Sequence, residues 1–549
     1  MGDFGYGGVD EELAELKKVE AEVAASPDDF EAWEKLVRTA EGLEGGLNRN
    51  SSPQSIQATR NIYDRFLAKF PLFFGYWKKY ADLEFAIAGT EAAEMIYERG
   101  VASIAVSVDL WANYCAFKTE TTHVEQATRE LFERAADSVG LDFLAHPFWD
   151  KYIEFEERVE KHNNVFAILS RIIHIPMHQY ARYFERYRQL ASTRPVTELM
   201  PEDDLTRLQS ELERDPTFRG KHETELEREL RLRIDAYHLE IFHRTQTETT
   251  KRWTYEQNIK RPYFHVTELD EEQLTNWHKY LDFEESEGDY IRTAFLYERC
   301  VVTTAQYEEF WLRYARWMYA QESHEEEVRS IYVRASCYYV PIAEPTIRLH
   351  YALFEELCDR PGIASAIYEG VLVALPGNLE AILGLVNLQR RQVGYEAAVA
   401  VCQQYIESSE CPAQTKGAIV AEMARLAWRV RGDADEARKI FHAQQQWYLD
   451  SEPFWSAHLS FELEQPTSEK TETEQYTRVK GVHEFIRRQT RLQPDQVKAL
   501  SRRYMDYLRE RGTKAAAREY MHLDAEVDGP VSVVPLMRNK SAVNGAAKS

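Results

Sequence analysis

The feature that most constrains this chain is a tryptophan followed three residues later by a tyrosine, returning at near-regular intervals. The pairs are Trp77/Tyr80, Trp111/Tyr114, Trp149/Tyr152, Trp277/Tyr280 and Trp311/Tyr314. Successive tryptophans lie 34 (77 to 111), 38 (111 to 149) and 34 (277 to 311) residues apart. Offsets of three and seven fall on one stripe of an α-helix, and a period of this size marks stacked supersecondary units. The seventh position after the tryptophan is acidic in three of the five copies: Glu84, Glu156 and Glu284. It is Lys118 and Met318 in the others, so the helix itself does not require an acid there.

A second motif follows each stripe. MIYERG, ELFERA, FLYERC and SIYVRA place Arg99, Arg134, Arg299 and Arg334 at 22 or 23 residues after the tryptophan, and the degenerate AILSRI places Arg171 similarly. Pro71, Pro176, Pro341 and Pro376 then close several of the second segments, since proline cannot continue a helix. Each unit therefore reads as a helix bearing W-x-x-Y, a turn, a helix bearing aromatic-E-R, and a stop. Alternating β-branched runs are nearly absent. Weaker copies extend the array on both sides, from FEAWEKLV around Trp33 to KALSRRYMDYLRERG near residue 505, giving about twelve helical pairs. Residues 44–55, EGGLNRNSSPQS, read as an inserted loop. The fold class is all-α, an α-solenoid. One helical pair cannot bury its own aromatic stripe, but the next pair stacked on it can, so the ten Trp and Tyr residues are assigned to repeat packing. A pairing of Glu84 with Arg99 would be an exposed one, contributing ~0–1 kcal/mol.

The pattern lapses between about 192 and 250. STRPVTELMPEDDLTRLQSELERDPTFRGKHE is polar and carries three prolines. After it, Leu226, Leu230, Ile234, Tyr237 and Ile241 step by three and four, predicting a long helix. The expected organisation is a flexible amino terminus (1–19), an amino-terminal arm (20–190), a connection with a spacer helix (191–251), a carboxy-terminal arm (252–528) and a tail (529–549) that frays.

Composition narrows the functional classes. Net charge is −24, opposite to the basic field of a free-standing nucleic-acid binder. Six scattered cysteines without C-x-x-C spacing read as reduced thiols of an intracellular protein. No secretory segment follows Met1, and no apolar run reaches the ~18 residues that span a bilayer. No phosphate-cradling glycine loop, nucleophile motif or metal-ligand constellation stands out, so no enzyme activity, cofactor or metal is expected. His174 and His178 in HIPMH lack a third ligand. Two local clusters remain. Arg487, Arg488, Arg491, Arg502 and Arg503, with Arg509 and Arg511, make a basic patch, to be read as a partner- or RNA-facing surface or as an ordinary solvated face. Trp447, Tyr448, Phe454 and Trp455 form a dense apolar cluster, a candidate dimer seam or else internal packing.

The two helix motifs resemble the HAT (half-a-TPR) repeat of RNA-processing scaffolds. Two longer stretches, NIYDRFLAKFPLFFGYWKKYADLE (61–84) and KRPYFHVTELDEEQLTNWHKYLDFEE (260–285), look like the pre-mRNA-processing factor 39 family. RPYFHV is the more specific part, because the repeat does not demand it. The resemblance spans roughly residues 25–530. It implies a non-catalytic nuclear scaffold of the U1 small nuclear ribonucleoprotein that docks U1 proteins, notably the zinc-finger C subunit, and supports 5′ splice-site recognition in splicing. It also implies pairing through the carboxy-terminal arm, with itself or with a paralogue. The alternatives are another HAT scaffold, of cleavage and polyadenylation or of the later spliceosome, and a direct RNA-binding protein.

Overall fold

The computed structural model describes residues 10–214, 222–512 and 514–529. The expected fraying of the last nineteen residues lies outside them, as do residues 1–9 of the expected flexible amino terminus, whose remainder belongs to the helix Asp10–Ala25. Among the described residues there are 26 α-helices and no strand. The chain divides into two compact units, Met1–Tyr314 and Ala315–Ser549.

In the first unit the repeat helices alternate as the motifs predict: Phe74–Ala88 and Thr90–Ser103, Val108–Thr121 and Glu125–Val139, His146–Arg158 and His162–Ile172. Local chemistry sets their ends. Ser107 and Asp289 cap the helices that follow them by accepting from the backbone N–H three residues on. Gly89, at φ 93°, is the single residue between two helices, a conformation that a side chain would strain. The insertion after Glu41 is ordered. The Glu44 carboxylate accepts from Ser52 N–H and Ser55 Oγ, and the next helix, Pro53–Lys69, has begun before the stretch expected as loop has ended.

The long helix is Glu223–Gln257, 35 residues and roughly 50 Å at 1.5 Å per residue. It runs back along the preceding repeats. Asp235 bonds Arg188 (3.1 Å), His238 reaches the Leu199 carbonyl and the Tyr187 hydroxyl (both 3.0 Å), Thr245 donates to the Ile173 carbonyl (2.8 Å), and Trp253 lies 6.0 Å from the Phe143 ring. As its own numbering rises, that of its partners falls, so it straps the turns of the amino-terminal repeats. Beyond it, RPYFHV packs against the first repeats: Phe264 stands edge-on to Phe73 at 5.2 Å, Tyr263 lies 6.4 Å from Phe74, and His265 lies 6.2 Å from both Phe30 and Phe73. Residues the repeat does not explain thus form an aromatic clasp within this unit.

The second unit continues with Thr346–Leu357 and Pro361–Ala374, Leu379–Gln392 and Tyr395–Glu407, Ala413–Arg429 and Ala434–Gln444, Glu452–Leu463 and Glu472–Gln489, then Pro494–Arg511 and Ala516–Val527. One apolar core runs through its last pairs, including Phe441, Phe454, Trp455, Leu459, Ile486 and Tyr504.

Candidate interaction site

Each motif residue has a defined partner in the neighbouring repeat. The tyrosine of W-x-x-Y lies flat on the aromatic residue of the preceding second helix: Tyr80 on Tyr63 (4.6 Å), Tyr114 on Tyr97 (5.0 Å), Tyr152 on Phe132 (4.6 Å), Tyr280 on Tyr255 (5.0 Å) and Tyr314 on Tyr297 (4.6 Å), all within 8° of parallel. Its hydroxyl donates to the acid that follows that aromatic, as Tyr114 does to Glu98 (2.8 Å) and Tyr152 to Glu133 (2.6 Å). Burial, with that carboxylate beside it, raises the Tyr114 phenol far above its ordinary range. The same acid also takes the arginine of the next aromatic-E-R: Arg134 bonds Glu98 through both Nη atoms (3.0 and 2.9 Å) and lies over its own repeat's Trp111. All five tryptophans are buried. Trp77, Trp111 and Trp311 each donate the indole N–H to the carbonyl six residues back at 2.8 Å. Trp149 uses the Gly140 carbonyl (3.1 Å), and the buried indole N–H of Trp277, which follows the clasp, has no acceptor among the described residues.

The seventh position is where the structure corrects the sequence reading. Glu84 is buried and pairs with Arg60, Nε and Nη2 each at 2.7 Å, while Arg99 bonds Asp64 (2.9 Å). The partner always stands three residues before the stacking aromatic of the preceding second helix. Arg129 binds Glu156 (2.6 and 3.1 Å), Arg252 binds Glu284 (2.6 and 2.9 Å), Arg329 binds Glu355 (2.7 Å) and Arg438 binds Glu462 (2.8 Å). Where the seventh residue is Lys118, the partner is Glu94 (2.7 Å), an inverted pair. Where it is Met318, the residue at the partner position is Ala294. Arg252 and Tyr255 show that the last turns of the long helix serve as the second helix for the Trp277 repeat.

The same pattern accounts for two of the weaker copies. Arg348-x-x-Tyr351-x-x-x-Glu355 puts arginine in the tryptophan position, where its guanidinium donates to the carbonyls of Ser336, Val340, Pro341 and Glu344. Trp455-x-x-His458-x-x-x-Glu462 puts histidine in the tyrosine position, stacked on Phe441 at 4.4 Å and 3°. Burial beside His442 and Arg438 drives the His458 pKa down to about 3. His483, stacked on Tyr504 at 4.2 Å and bonded to Ser501 Oγ, is likewise held at about 3 by burial.

Of the apolar cluster, Phe454, Trp455 and Tyr448 are buried in the core of their own unit, and Trp455 donates to the Tyr448 carbonyl (2.9 Å). Trp447 alone is open, 77% exposed. In the basic patch Arg487 bonds Glu526, Arg488 approaches Glu484 (4.0 Å), Arg502 bonds Asp528 (2.6 Å) and Arg503 donates to Ser456 Oγ (3.1 Å) and Ser460 Oγ, while Arg491 is exposed. His174 receives Arg244 Nη2 (3.4 Å), and His178 lies 5.4 Å from His146, ring to ring. Cys115, Cys300, Cys402 and Cys411 are buried, and burial pushes the Cys300 thiol up to about 12. Cys337 is exposed.

Comparison with known proteins matches two stretches of the chain. A family described as PRP39 N-terminal HAT repeat matches residues 17–189, and one described as PRP39 C-terminal HAT repeat matches residues 250–391. Pre-mRNA-processing factor 39 of Schizosaccharomyces pombe is 51% identical over 538 residues, covering 95% of this chain and 88% of that protein. The U1 small nuclear ribonucleoprotein component PRP42 of Saccharomyces cerevisiae is 22% identical over 305 residues, 54% of this chain and 55% of that protein. The crystal structure of CSTF-77 shares the fold at a TM-score of 0.53 and 12% identity, over 86% of this chain and 95% of that one. By this similarity, and by the repeat motifs that carry it, the chain belongs to the pre-mRNA-processing factor 39 family of HAT-repeat proteins.

Proposed function

We propose that the chain is a non-catalytic scaffold of the U1 small nuclear ribonucleoprotein, acting in the nucleus in pre-mRNA splicing. In this reading it docks U1 proteins, the zinc-finger C subunit first among them, and supports 5′ splice-site recognition. The observation that carries the proposal is family membership over both runs of repeats, together with a relative that is itself named a U1 component. The geometry is consistent with it, since the motif aromatics, acids and arginines are consumed in repeat packing and leave the outward faces to bind. The two arms, residues 20–190 and 252–528 joined by 191–251, are the proposed functional division. The carboxy-terminal arm pairs with a second copy or a paralogue, and Trp447 is the exposed anchor of that seam, backed by buried Tyr448, Phe454 and Trp455.

Affinity purification of the chain from its own cells tests the assignment. Enrichment of U1 RNA over other small nuclear RNAs is expected. Recovery with polyadenylation factors or with the later spliceosome instead would reject U1 in favour of another HAT scaffold. Tight binding to naked RNA that weakens steeply with salt would mark direct RNA recognition; the acidic partners of Arg487 and Arg502 speak against it.

A further inference from the structure

The first helices of the second unit present an apolar strip that its own core covers only in part, Leu349 packing against that core. On Thr346–Leu357, Leu349, Leu353 and Leu357 recur at steps of four; Leu349 is half-buried, Leu353 is 47% exposed and Leu357 61% exposed. Tyr319, at the end of the preceding first helix, is 56% exposed and meets Phe354 edge-on at 6.5 Å. Leu383, half-buried on Leu379–Gln392, occupies the position equivalent to Leu349, one residue after the tryptophan position. Direct bonds between Arg391 and Glu356 (2.8 and 2.6 Å) tie these two helices together at that end. On two first helices of the first unit the equivalent positions are polar, Lys78 and Asp82 on one and Asp150 and Glu154 on the other, while on the Trp111 helix they are the small Ala112 and Ala116.

Charge singles out the occupant. Arg316 occupies the same repeat position as Leu353, and Arg390 the same position as Tyr319, so both guanidinium groups flank the strip. Neither has an acidic partner among the described residues, whereas neighbouring arginines such as Arg329, Arg391 and Arg438 are paired, in a chain of net charge −24. Glu356 is neutralised by Arg391 and also accepts a hydrogen bond from Gln392. An apolar stripe flanked by free positive charge suits an amphipathic helix whose apolar anchors repeat at i, i+4 and i+7 and whose flanks are acidic.

We propose that the strip of Tyr319, Leu349, Leu353, Leu357 and Leu383 is a docking face for an acidic amphipathic helix of a partner protein, steered by Arg316 and Arg390. The proposal stands independently of the U1 assignment. The probe is a fluorescein-labelled acidic helical peptide with leucines at i, i+4 and i+7, titrated against the full chain by anisotropy, with a scrambled peptide of the same composition as control. The ordered peptide binds at least tenfold tighter than the scrambled one. Leu353→Asp weakens it at least tenfold, whereas Val373→Asp, at an exposed position on the second helix of the same repeat, does not. Arg316→Glu/Arg390→Glu weakens it and flattens its salt dependence. Circular dichroism and melting temperature of each variant match the parent. Equal binding of the scrambled peptide, or indifference to Leu353→Asp, overturns the proposal. So does a self-associated chain that Leu353→Asp converts to monomer, because the face would then belong to a second copy.

Discussion

Arg252 and Glu284 offer the sharpest test of the joint described above. Their side chains are each 2% exposed and share two hydrogen bonds of 2.6 and 2.9 Å. Removing one partner of such a pair leaves an uncompensated buried charge and costs about 3–5 kcal/mol. Arg252→Ala strands the Glu284 carboxylate, and Glu284→Met strands the guanidinium except for its bond to Glu248. The double variant Arg252→Ala/Glu284→Met installs the residues the chain carries at the equivalent positions 294 and 318, so it removes both charges together. Each single change is therefore expected to destabilise by about 3–5 kcal/mol, and the double by clearly less than their sum, with a coupling of up to about 3 kcal/mol. The assay is a double-mutant cycle by urea unfolding, with hydrogen exchange on Glu271–Glu287 to localise the loss. Additive losses, or a single variant as stable as the parent, would refute the claim that these two positions form one joint.

Further expectations follow from the same contacts. Trp111→Ala removes a buried ring and its bond to the Ala105 carbonyl, and lowers stability by about 3–5 kcal/mol; a thermal melt overlaying the parent would contradict this. His458 is neutral in the fold with its pKa lowered to about 3, against an ordinary 6.5 when unfolded. Its contribution is thus intact above pH 6.5 and is lost as pH falls towards 3. Between pH 7 and pH 5 the parent should lose about 2 kcal/mol more than His458→Phe does, read from urea midpoints; identical pH profiles would count against it. Phe264→Ala opens the clasp, so amides of residues 258–270 and 30–73 exchange faster while the Trp111 repeat is unchanged. Trp447→Ala leaves the melting temperature alone and lowers the solution mass by light scattering from about twice 64.1 kDa to that of one chain.

The W-x-x-Y stripe and aromatic-E-R were legible because burial of large rings repeats at a helical offset. What each residue binds was not, because the partner lies in the preceding repeat. Glu84 reads locally as a companion of Arg99, yet it meets Arg60, 24 residues upstream. The signal existed in the exceptions: Lys118 opposite Glu94, and Met318 in register with Ala294, are compensating changes within one chain. The copy around Trp455 was readable only as a weak one, because His458 stands where tyrosine is expected, and this left Trp455 open to a reading as surplus apolar surface. The long helix was readable as a helix from Leu226 to Ile241, but nothing in its periodicity says that it folds back as a strap. RPYFHV stood out as unexplained by the repeat, and its role needed the positions of Phe30 and Phe73, more than 180 residues away.

The most direct test of the scaffold reading is binding of the purified chain to isolated U1 particles with and without the zinc-finger C subunit, followed by light scattering. The account predicts a stable complex with the complete particle that is lost or strongly weakened when the C subunit is absent. No complex with the complete particle, or equal binding to naked U1 RNA, would contradict it.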